Sequence, residues 1–364
     1  MRSGGEAGGQ GKQLRVIRVA GGPRARGRQA GEATADLVHR SLEFYRGFLE
    51  ARGVGHGQLR ELLRPYTRAA EAAFPAYVEE IRGLAEGAHA DPLEVMAANA
   101  WEELEPLLER PRDAAAQPSR CTAFVLTGSE GTMLGHNEQW YAGDDGNVAV
   151  IVAQPDDGPA LVSPTVVCCL PAVGLNGHGL AQAVMSLEAR DDGEGIPRVL
   201  VSRHALEAAG QGDAVERTST PGRAGGYAHM FAGSGGRGFT VETTSRRHAV
   251  LPGPAGHTNH YLDPELARSA DEPRGGSESR LRRLRALLAE GGHAGPQGAM
   301  EILRDHVAEP EAICVHPDPA EGGEAAAVVF SMVVHLEERR MWVAPGRPCE
   351  AEYEEIDLGE VLAE

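Results

Sequence analysis

Apolar residues along the chain change their period near residue 121. From Arg26 to Glu109 they recur at helical spacing: Phe74, Tyr77, Val78, Ile81 and Leu84 form one stripe that turns toward a core. Asp91-Pro92-Leu93-Glu94 reads as a helix start, with Asp91 as cap, Pro92 in the first turn and Glu94 reaching back as in a capping box. Pro111 to Arg120 is a polar linker with alanines and prolines, a natural place for an exposed segment that can be cut. Beyond it the pattern becomes that of short strands rich in Val and aromatic residues, bounded by Gly, Pro, Asn or Asp. These are Cys121 to Thr127, Asn147 to Ala153, Leu161 to Leu170, Ala181 to Leu187, Phe239 to Thr243, Ala327 to His335 and Met341 to Val343. Helices interrupt them at Pro197 to Ala209 and at Ser279 to Leu288, the latter with a stripe of Leu281, Leu284, Leu287 and Leu288. Strands interleaved this irregularly with helices predict sheets covered by helices, not a Rossmann alternation.

Composition narrows the picture. The chain has 364 residues, 41% hydrophobic and 24% charged, enough for a sizeable core in one large or two modest domains. A formal net charge of -18 leaves no electrostatic footprint for nucleic-acid binding. No apolar run approaches the roughly 18 residues a membrane span needs. Residues 1–12 are Gly-rich, lack the apolar segment of a signal peptide and read as a disordered leader; the Arg-rich stretch Leu14 to Arg28 that follows is only a weak targeting signal. The cytoplasm is the expected compartment. The five cysteines, Cys121, Cys168, Cys169, Cys314 and Cys349, are odd in number and irregular in spacing, which argues against a disulfide framework. They show no CxxC-type metal spacing.

Three segments stand out as carriers of chemistry. Cys121 opens a strand directly after the polar linker, whereas Cys168 and Cys169 sit inside an apolar run as structural cysteines do. Gly135-His136-Asn137-Glu138-Gln139-Trp140 ends a second hairpin strand and clusters Asn, Glu and Gln, which fits a turn or the lining of a site. His257-Thr258-Asn259-His260-Tyr261-Leu262 holds two histidines three apart. They suggest zinc, but the helical His-Glu-x-x-His arrangement is missing, no third ligand is evident, and the alternative is that Asn259 is the functional group with the histidines as scaffold. The run Gly233 to Gly238 reads as a flexible hairpin loop, since no Lys-Ser/Thr follows to make a phosphate loop.

These segments, in this order, resemble the penicillin (isopenicillin-N) acyltransferase family of cysteine N-terminal nucleophile hydrolases, whose superfamily includes bile salt hydrolases and acid ceramidase-like amidases. The resemblance extends over most of the chain. It includes Gly22-Pro23 with Gly27 to Glu32, Tyr77 to Ala85, Cys121-Thr122, Gly135 to Trp140, Gly174 to Leu180, and the most specific match, His257 to Leu262. Ser277, Arg280 and Arg283-Leu284, then Ile313 to Asp318 and Gly346 to Cys349, complete it. It implies a four-layer αββα sandwich in one composite domain. Residues 13–120 would be a helical α-subunit segment and residues 121–364 the catalytic β-subunit segment.

The resemblance also implies a mechanism. A free thiol has a pKa of about 8.5 and needs a base at neutral pH. Once the Arg120-Cys121 peptide is cut, the α-amine of Cys121, with a pKa of about 7.7 to 8.0, can take the proton from its own sulfur. Cys121 would then form an acyl-enzyme from an amide or thioester, with the Asn259 amide stabilising the oxyanion. Asn137 and Gln139 join Cys121 and Asn259 as catalytic candidates. Arg280, Glu138, His136 and Trp140 are the substrate-binding candidates, and for Arg280 an alternative is support of the site. The chain departs from the family in four places. Arg120 replaces the usual Gly before the nucleophile, Gln139 stands where an Asp is usual, so that Glu138 would have to hold the α-ammonium, and bile-salt-type members carry Arg at the His136 position. Met185 or its neighbour Ser186 occupies the place of a second oxyanion contact. The expected partners are a small-molecule acyl substrate, acyl-coenzyme A among the compatible donors, and the two processed fragments of one chain, with a homo-oligomer compatible; neither cofactor nor metal is expected. Rival readings are an uncleaved, repurposed binding protein on the same fold and a zinc hydrolase built on His257 and His260.

Overall fold

The computed structural model describes residues 14–108, 121–253, 255–270, 276–307, 309–356 and 358; the leader, the linker and Arg120 lie outside them. Strand β1 (Arg15–Gly21) leads into a long helix α1 (Pro23–Ala51), followed by α2 (His56–Ala73), α3 (Pro75–Ala88), α4 (Pro92–Ala98) and α5 (Trp101–Leu108). Next come the hairpin β2 (Thr122–Gly128) and β3 (Gly131–Tyr141), then β4 (Val148–Pro155), β5 (Leu161–Val166), β6 (Gly174–Asn176) and β7 (Ala181–Leu187). Helices α6 (Arg198–Leu206) and α7 (Gln211–Thr218) precede β8 (Gly226–Gly233), β9 (Arg237–Thr243) and β10 (His248–Pro252). The chain finishes with β11 (Gly256–His257), α8 (Pro264–Ala267), α9 (Ser277–Glu290), α10 (Gly295–Leu303), β12 (Ala326–His335), β13 (Arg340–Pro345) and β14 (Glu354–Ile356).

Among the described residues the strands form two sheets. One has eight strands in the order β1-β4-β5-β6-β7-β8-β9-β10, and the other has six in the order β11-β2-β3-β12-β13-β14. Among these described strand pairs only β1–β4 is parallel. Side-chain alternation then dictates four layers. On β4, Val150 and Val152 face the six-stranded sheet, while Ala149, Ile151 and Ala153 face the N-terminal helices together with Val38, Leu42 and Ile81. On the six-stranded sheet, Ala123, Leu134, Met332 and Val334 face inward, and Phe124, Met133 and Val333 pack under Leu281, Leu284 and Leu287 of α9 and Ile302 of α10. The result is helix, sheet, sheet, helix, as expected. No helix among the described residues is long and apolar enough to cross a membrane.

The expected stripe on α3 packs against α1 more closely than side chains would allow. A Cβ on Gly27 would sit 1.9 Å from the Glu80 carbonyl oxygen, and one on Gly83 would sit 2.2 Å from that of Arg24. The two backbones touch directly, and the buried Arg26–Glu80 ion pair at 2.6 Å flanks the crossing. Asp91 caps α4 as expected, accepting from the Leu93 amide at 2.9 Å. Glu94 does not close a capping box; its carboxylate pairs with Arg46 on α1 at 2.8 Å, a stronger partner than a single amide.

Strands β1, β8, β10, β11 and β14 lie where none is expected. The Arg-rich stretch after the leader is β1, an edge strand whose arginines hide its alternation, so residues 13–120 are not wholly helical. β8, Gly-Tyr-Ala-His-Met-Phe-Ala-Gly, lacks β-branched residues yet sits between β7 and β9 in mid-sheet, where tertiary packing outweighs propensity. Cys168 and Cys169 fall just past β5 in a turn, not within the strand.

Candidate active site

Cys121 directly precedes β2, and strand parity sends its side chain to the inter-sheet face with Ala123, leaving it 2% exposed. Opposite it runs β3, where residues 136, 138 and 140 share that face. The Cys121 thiol donates to Glu138 Oε1 at 3.3 Å, and the Gln139 carbonyl lies 3.9 Å from the sulfur. The other Glu138 oxygen is 3.0 Å from His136 Nε2. Burial pushes the thiol well above its ordinary range, and the Glu138 carboxylate beside it pushes in the same direction. In this setting the sulfur is a thiol, not a thiolate.

A buried arginine ties the backbone of Cys121 to the Asn259 side chain. Arg280 reaches from α9, 1% exposed, and its Nη1 donates to the Cys121 carbonyl and to Thr122 Oγ1, both at 2.9 Å. Its Nη2 donates to Asn259 Oδ1 at 3.1 Å, which turns the Asn259 amide nitrogen toward the Ser186 carbonyl at 3.1 Å. Arg280 is thus placed beneath the site, bonded to the protein on both terminal nitrogens. Of the two positions considered beside the oxyanion, Met185 packs in the inter-sheet core, and Ser186 meets Asn259 through its backbone.

The segment carrying Asn259 is pinned from both sides. Fully buried Glu242 on β9 takes His257 Nε2 at 2.8 Å and the amides of Leu262 and Asp263 at 2.5 and 2.9 Å. His257 Nδ1 meets the Thr258 carbonyl, and His260 Nδ1 lies 2.7 Å from Ser277 Oγ. Among the described residues, neither histidine belongs to a group of three or more metal-ligating side chains. Glu242 escaped the sequence reading; its one signal is a carboxylate inside Phe239 to Thr243, a segment otherwise apolar and hydroxyl-bearing.

The structure does not bring the side chains of Asn137 and Gln139 to the thiol. On β3 they alternate with His136 and Glu138 and so point to the opposite face. Asn137 donates to the carbonyls of Leu303 and Ile313 at 2.9 and 3.0 Å and accepts from Ser331, and Gln139 donates to Ile313 at 3.2 Å. Their neighbourhood is the α9–α10 layer. Trp140 returns to the inner face and donates to Tyr45 at 2.7 Å.

Glu138 and Trp140 also line a cavity between the N-terminal helices and the eight-stranded sheet, with Trp101, Glu102, Tyr227 and Phe330 on its walls. Behind it lies a charged cluster that the sequence did not signal. Arg198 pairs with Glu103 and Asp192, each at 3.1 Å, and with Glu102 at 3.6 Å. Tyr227 donates to Glu102 at 2.5 Å. Burial lifts the Glu102 carboxyl above its ordinary range and pushes that of Glu103 up to about 7, with Arg198 opposing both shifts. An apolar cavity thus reaches Glu138, the carboxylate that accepts from the Cys121 thiol, while Arg280 links the Cys121 backbone to the Asn259 amide.

The family model for "Acyl-coenzyme A:6-aminopenicillanic acid acyl-transferase" matches residues 126–350, a stretch that takes in Glu138, Asn259 and Arg280 and begins just after Cys121. The chain is 26% identical over 341 residues to the acyl-coenzyme A:6-aminopenicillanic-acid-acyltransferase 40 kDa form of Emericella nidulans, covering 91% of this chain and 92% of that one. Similar solved structures include penicillin V acylase from Agrobacterium tumefaciens, with a TM-score of 0.48, 13% identity and coverage of 66% of this chain and 87% of that one. A mutant conjugated bile acid hydrolase from Clostridium perfringens has a TM-score of 0.45, 11% identity and coverage of 66% and 93%.

Proposed function

The chain belongs to the acyl-coenzyme A:6-aminopenicillanic acid acyl-transferase family, and on that premise we propose that it is a self-processing cysteine acyltransferase or amidohydrolase whose nucleophile is Cys121. The observation that carries this reading is Arg280, which bonds both the Cys121 carbonyl and the Asn259 amide while the thiol faces Glu138. One residue thereby fixes the relation between an attacking sulfur and a side-chain donor for the oxyanion.

Activation comes first. The thiol adds to the carbonyl carbon of residue 120, the peptide C–N bond breaks, and the nitrogen takes the proton to become the α-amine of Cys121. Water then hydrolyses the resulting thioester, leaving a carboxylate on residue 120 and a free thiol. In the processed protein the α-amine accepts the thiol proton, directly or through one water. Before cleavage, burial and the Glu138 charge both disfavour a thiolate. A cationic α-ammonium between sulfur and Glu138 reverses the sign of the local field, and Glu138 holds it where the family more often uses Asp at the position of Gln139.

The thiolate adds to an amide or thioester carbonyl, the oxyanion takes a hydrogen bond from Asn259 Nδ2, and the amine or thiol leaves with the proton from the α-ammonium. Water or an amine then attacks the acyl-enzyme, giving hydrolysis or acyl transfer. The apolar walls of the cavity beyond Glu138 and Trp140 suit an acyl chain, so the substrate class is a small N-acyl amide or acyl thioester.

Intact mass under denaturing conditions tests the reading. Wild type is expected as two fragments split before Cys121, and Cys121→Ala as one uncut and inactive chain. A thiol-directed acyl probe is expected to label the wild type at Cys121. An active wild type that stays in one piece would overturn self-processing, and an active Cys121→Ala would overturn the nucleophile.

A further inference from the structure

Four side chains with no part in this reaction converge on the outer side of the six-stranded sheet. His306 follows α10, Cys314 and His316 sit in the loop leading to β12, and Cys349 lies between β13 and β14. One ligand atom from each falls within 4.8 Å of the other three. Cys314 Sγ and Cys349 Sγ are 3.6 Å apart, His306 Nε2 and His316 Nε2 are 3.1 Å apart, and His316 Nε2 is 3.2 Å from Cys349 Sγ.

Neither a disulfide nor a set of hydrogen bonds describes this cluster well. The sulfurs are far beyond the bonded distance of about 2.05 Å. A single nitrogen, His316 Nε2, faces both His306 Nε2 and Cys349 Sγ, and it carries one proton or one lone pair, not both. A tetrahedral ion accounts for these three contacts together. With metal–sulfur bonds of about 2.3 Å and metal–nitrogen bonds of about 2.0–2.1 Å, the edges of a two-sulfur, two-nitrogen tetrahedron are about 3.8 Å for S–S, about 3.3 Å for N–N and about 3.5 Å for N–S. The three spacings above differ from these by a few tenths of an ångström, and the remaining pairs lie within 4.8 Å, so the ligands would draw in slightly around the ion. The other ring nitrogen of His316, Nδ1, lies 3.5 Å from Glu350 Oε1, the carboxylate pairing that orients a metal-binding imidazole. Thiolate and imidazole ligands select zinc over the oxygen-seeking magnesium and calcium.

We propose that His306, Cys314, His316 and Cys349 bind one zinc ion as a structural clasp. Four protein ligands leave no open position, so the ion takes no substrate. The ligand spacing explains why the sequence conceals the site: the ligands come from three separate segments, and Cys349 lies far along the chain from the other three. Those segments are already in contact, with Arg304 Nε donating to the Pro348 carbonyl at 2.8 Å and the Cys314 amide to the Asp305 carbonyl at 3.0 Å. The clasp fixes the loop whose Ile313 carbonyl, with that of Leu303, anchors Asn137 and Gln139. Through β3 it acts as a positioning element for Glu138.

The test uses the full chain, purified without metal-affinity steps. Elemental analysis is expected to find one zinc per chain in the wild type and in Cys121→Ala, and none in Cys314→Ser/Cys349→Ser. Retention in Cys121→Ala separates this site from the proposed reaction, since that variant keeps all four ligands whatever Cys121 does. Should the double variant not fold, wild-type protein stripped of metal and titrated with Co²⁺ still decides. A thiolate-to-cobalt charge-transfer band saturating at one equivalent is expected. A folded wild type with no bound zinc and no such band overturns the proposal, as does an intact mass showing Cys314 and Cys349 joined as a disulfide.

Discussion

The two faces of β3 carry the same run of residues toward different ends. On the inner face Glu138 meets the Cys121 thiol, His136 bonds the other Glu138 oxygen, and Trp140 borders the cavity. On the outer face Asn137 and Gln139 are spent on backbone carbonyls of the α9–α10 layer. One face is charged and faces a reactive group, and the other is neutral, with both amide nitrogens donating to backbone carbonyls. A motif that reads as one catalytic cluster is therefore two interleaved sets, divided by the pleat. What tells them apart is whether a side chain's polar atoms are bonded to the protein or turned toward the reactive sulfur.

The largest expected effect that tests this division is on turnover. Asn259→Ala removes the amide that Arg280 orients and should lower kcat by roughly 100- to 1000-fold, a loss far beyond what the accompanying drop of about 2–3 °C in Tm from its two lost hydrogen bonds would cause. Next comes a pair of variants on neighbouring positions of β3. Glu138→Gln keeps shape but loses the charge facing the sulfur and the α-ammonium; kcat/KM should fall by about 10- to 100-fold with little change in Tm. Asn137→Leu leaves the Leu303 carbonyl without this donor in a fully buried site, which costs about 2 kcal/mol, or about 2–3 °C in Tm for a chain of this size, while kcat changes little. Steady-state kinetics and thermal melts on both proteins read the contrast. If Asn137→Leu loses activity as severely as Glu138→Gln and melts like the wild type, the division between the faces is gone.

Much of the architecture was legible in the chain because alternation and helical period survive in its long elements. The stripe on α3, the Asp91 cap, the strands that became β2, β4, β7, β9, β12 and β13, and the site segments around Cys121 and Asn259 all announce themselves this way. What stayed hidden depends on partners distant in sequence. β1 is a strand because β4 offers it an edge, and β8 is one because β7 and β9 flank it. Arg280 is flagged by the resemblance alone; its helical spacing reads as a solvated residue until the fold sets it under Cys121. The cluster of Glu102, Glu103, Asp192 and Arg198 draws on three separate elements, so no local spacing could reveal it. The side-chain directions of Asn137 and Gln139 were decided by register, which the pairing Thr122 to Asn137 fixes and the sequence motif does not.

The smallest expected effect concerns pH and again separates the faces. Burial raises the Glu103 carboxyl to about 7 although Arg198 Nε lies 3.1 Å away. In the unfolded chain a Glu titrates near about 4.3, so the folded state binds this proton more tightly than the unfolded one. The stability contributed by the protonated form is complete below that unfolded value and is lost as pH rises through the folded value. Glu103→Gln keeps the volume and cannot ionise. Melting curves between pH 4 and 8 should therefore show the wild type losing about 2–4 °C relative to this variant as pH rises from about 4.5 to 7, with a constant gap above that. Asn137 and Gln139, the anchors of the outer face, are amides and add no such dependence, so Asn137→Leu should lower the whole curve without changing its slope. Parallel curves for wild type and Glu103→Gln would mean that Arg198 holds Glu103 ionised throughout. The cavity behind Glu138 would then present a fixed negative charge to the substrate instead of a carboxylic acid that can donate a hydrogen bond.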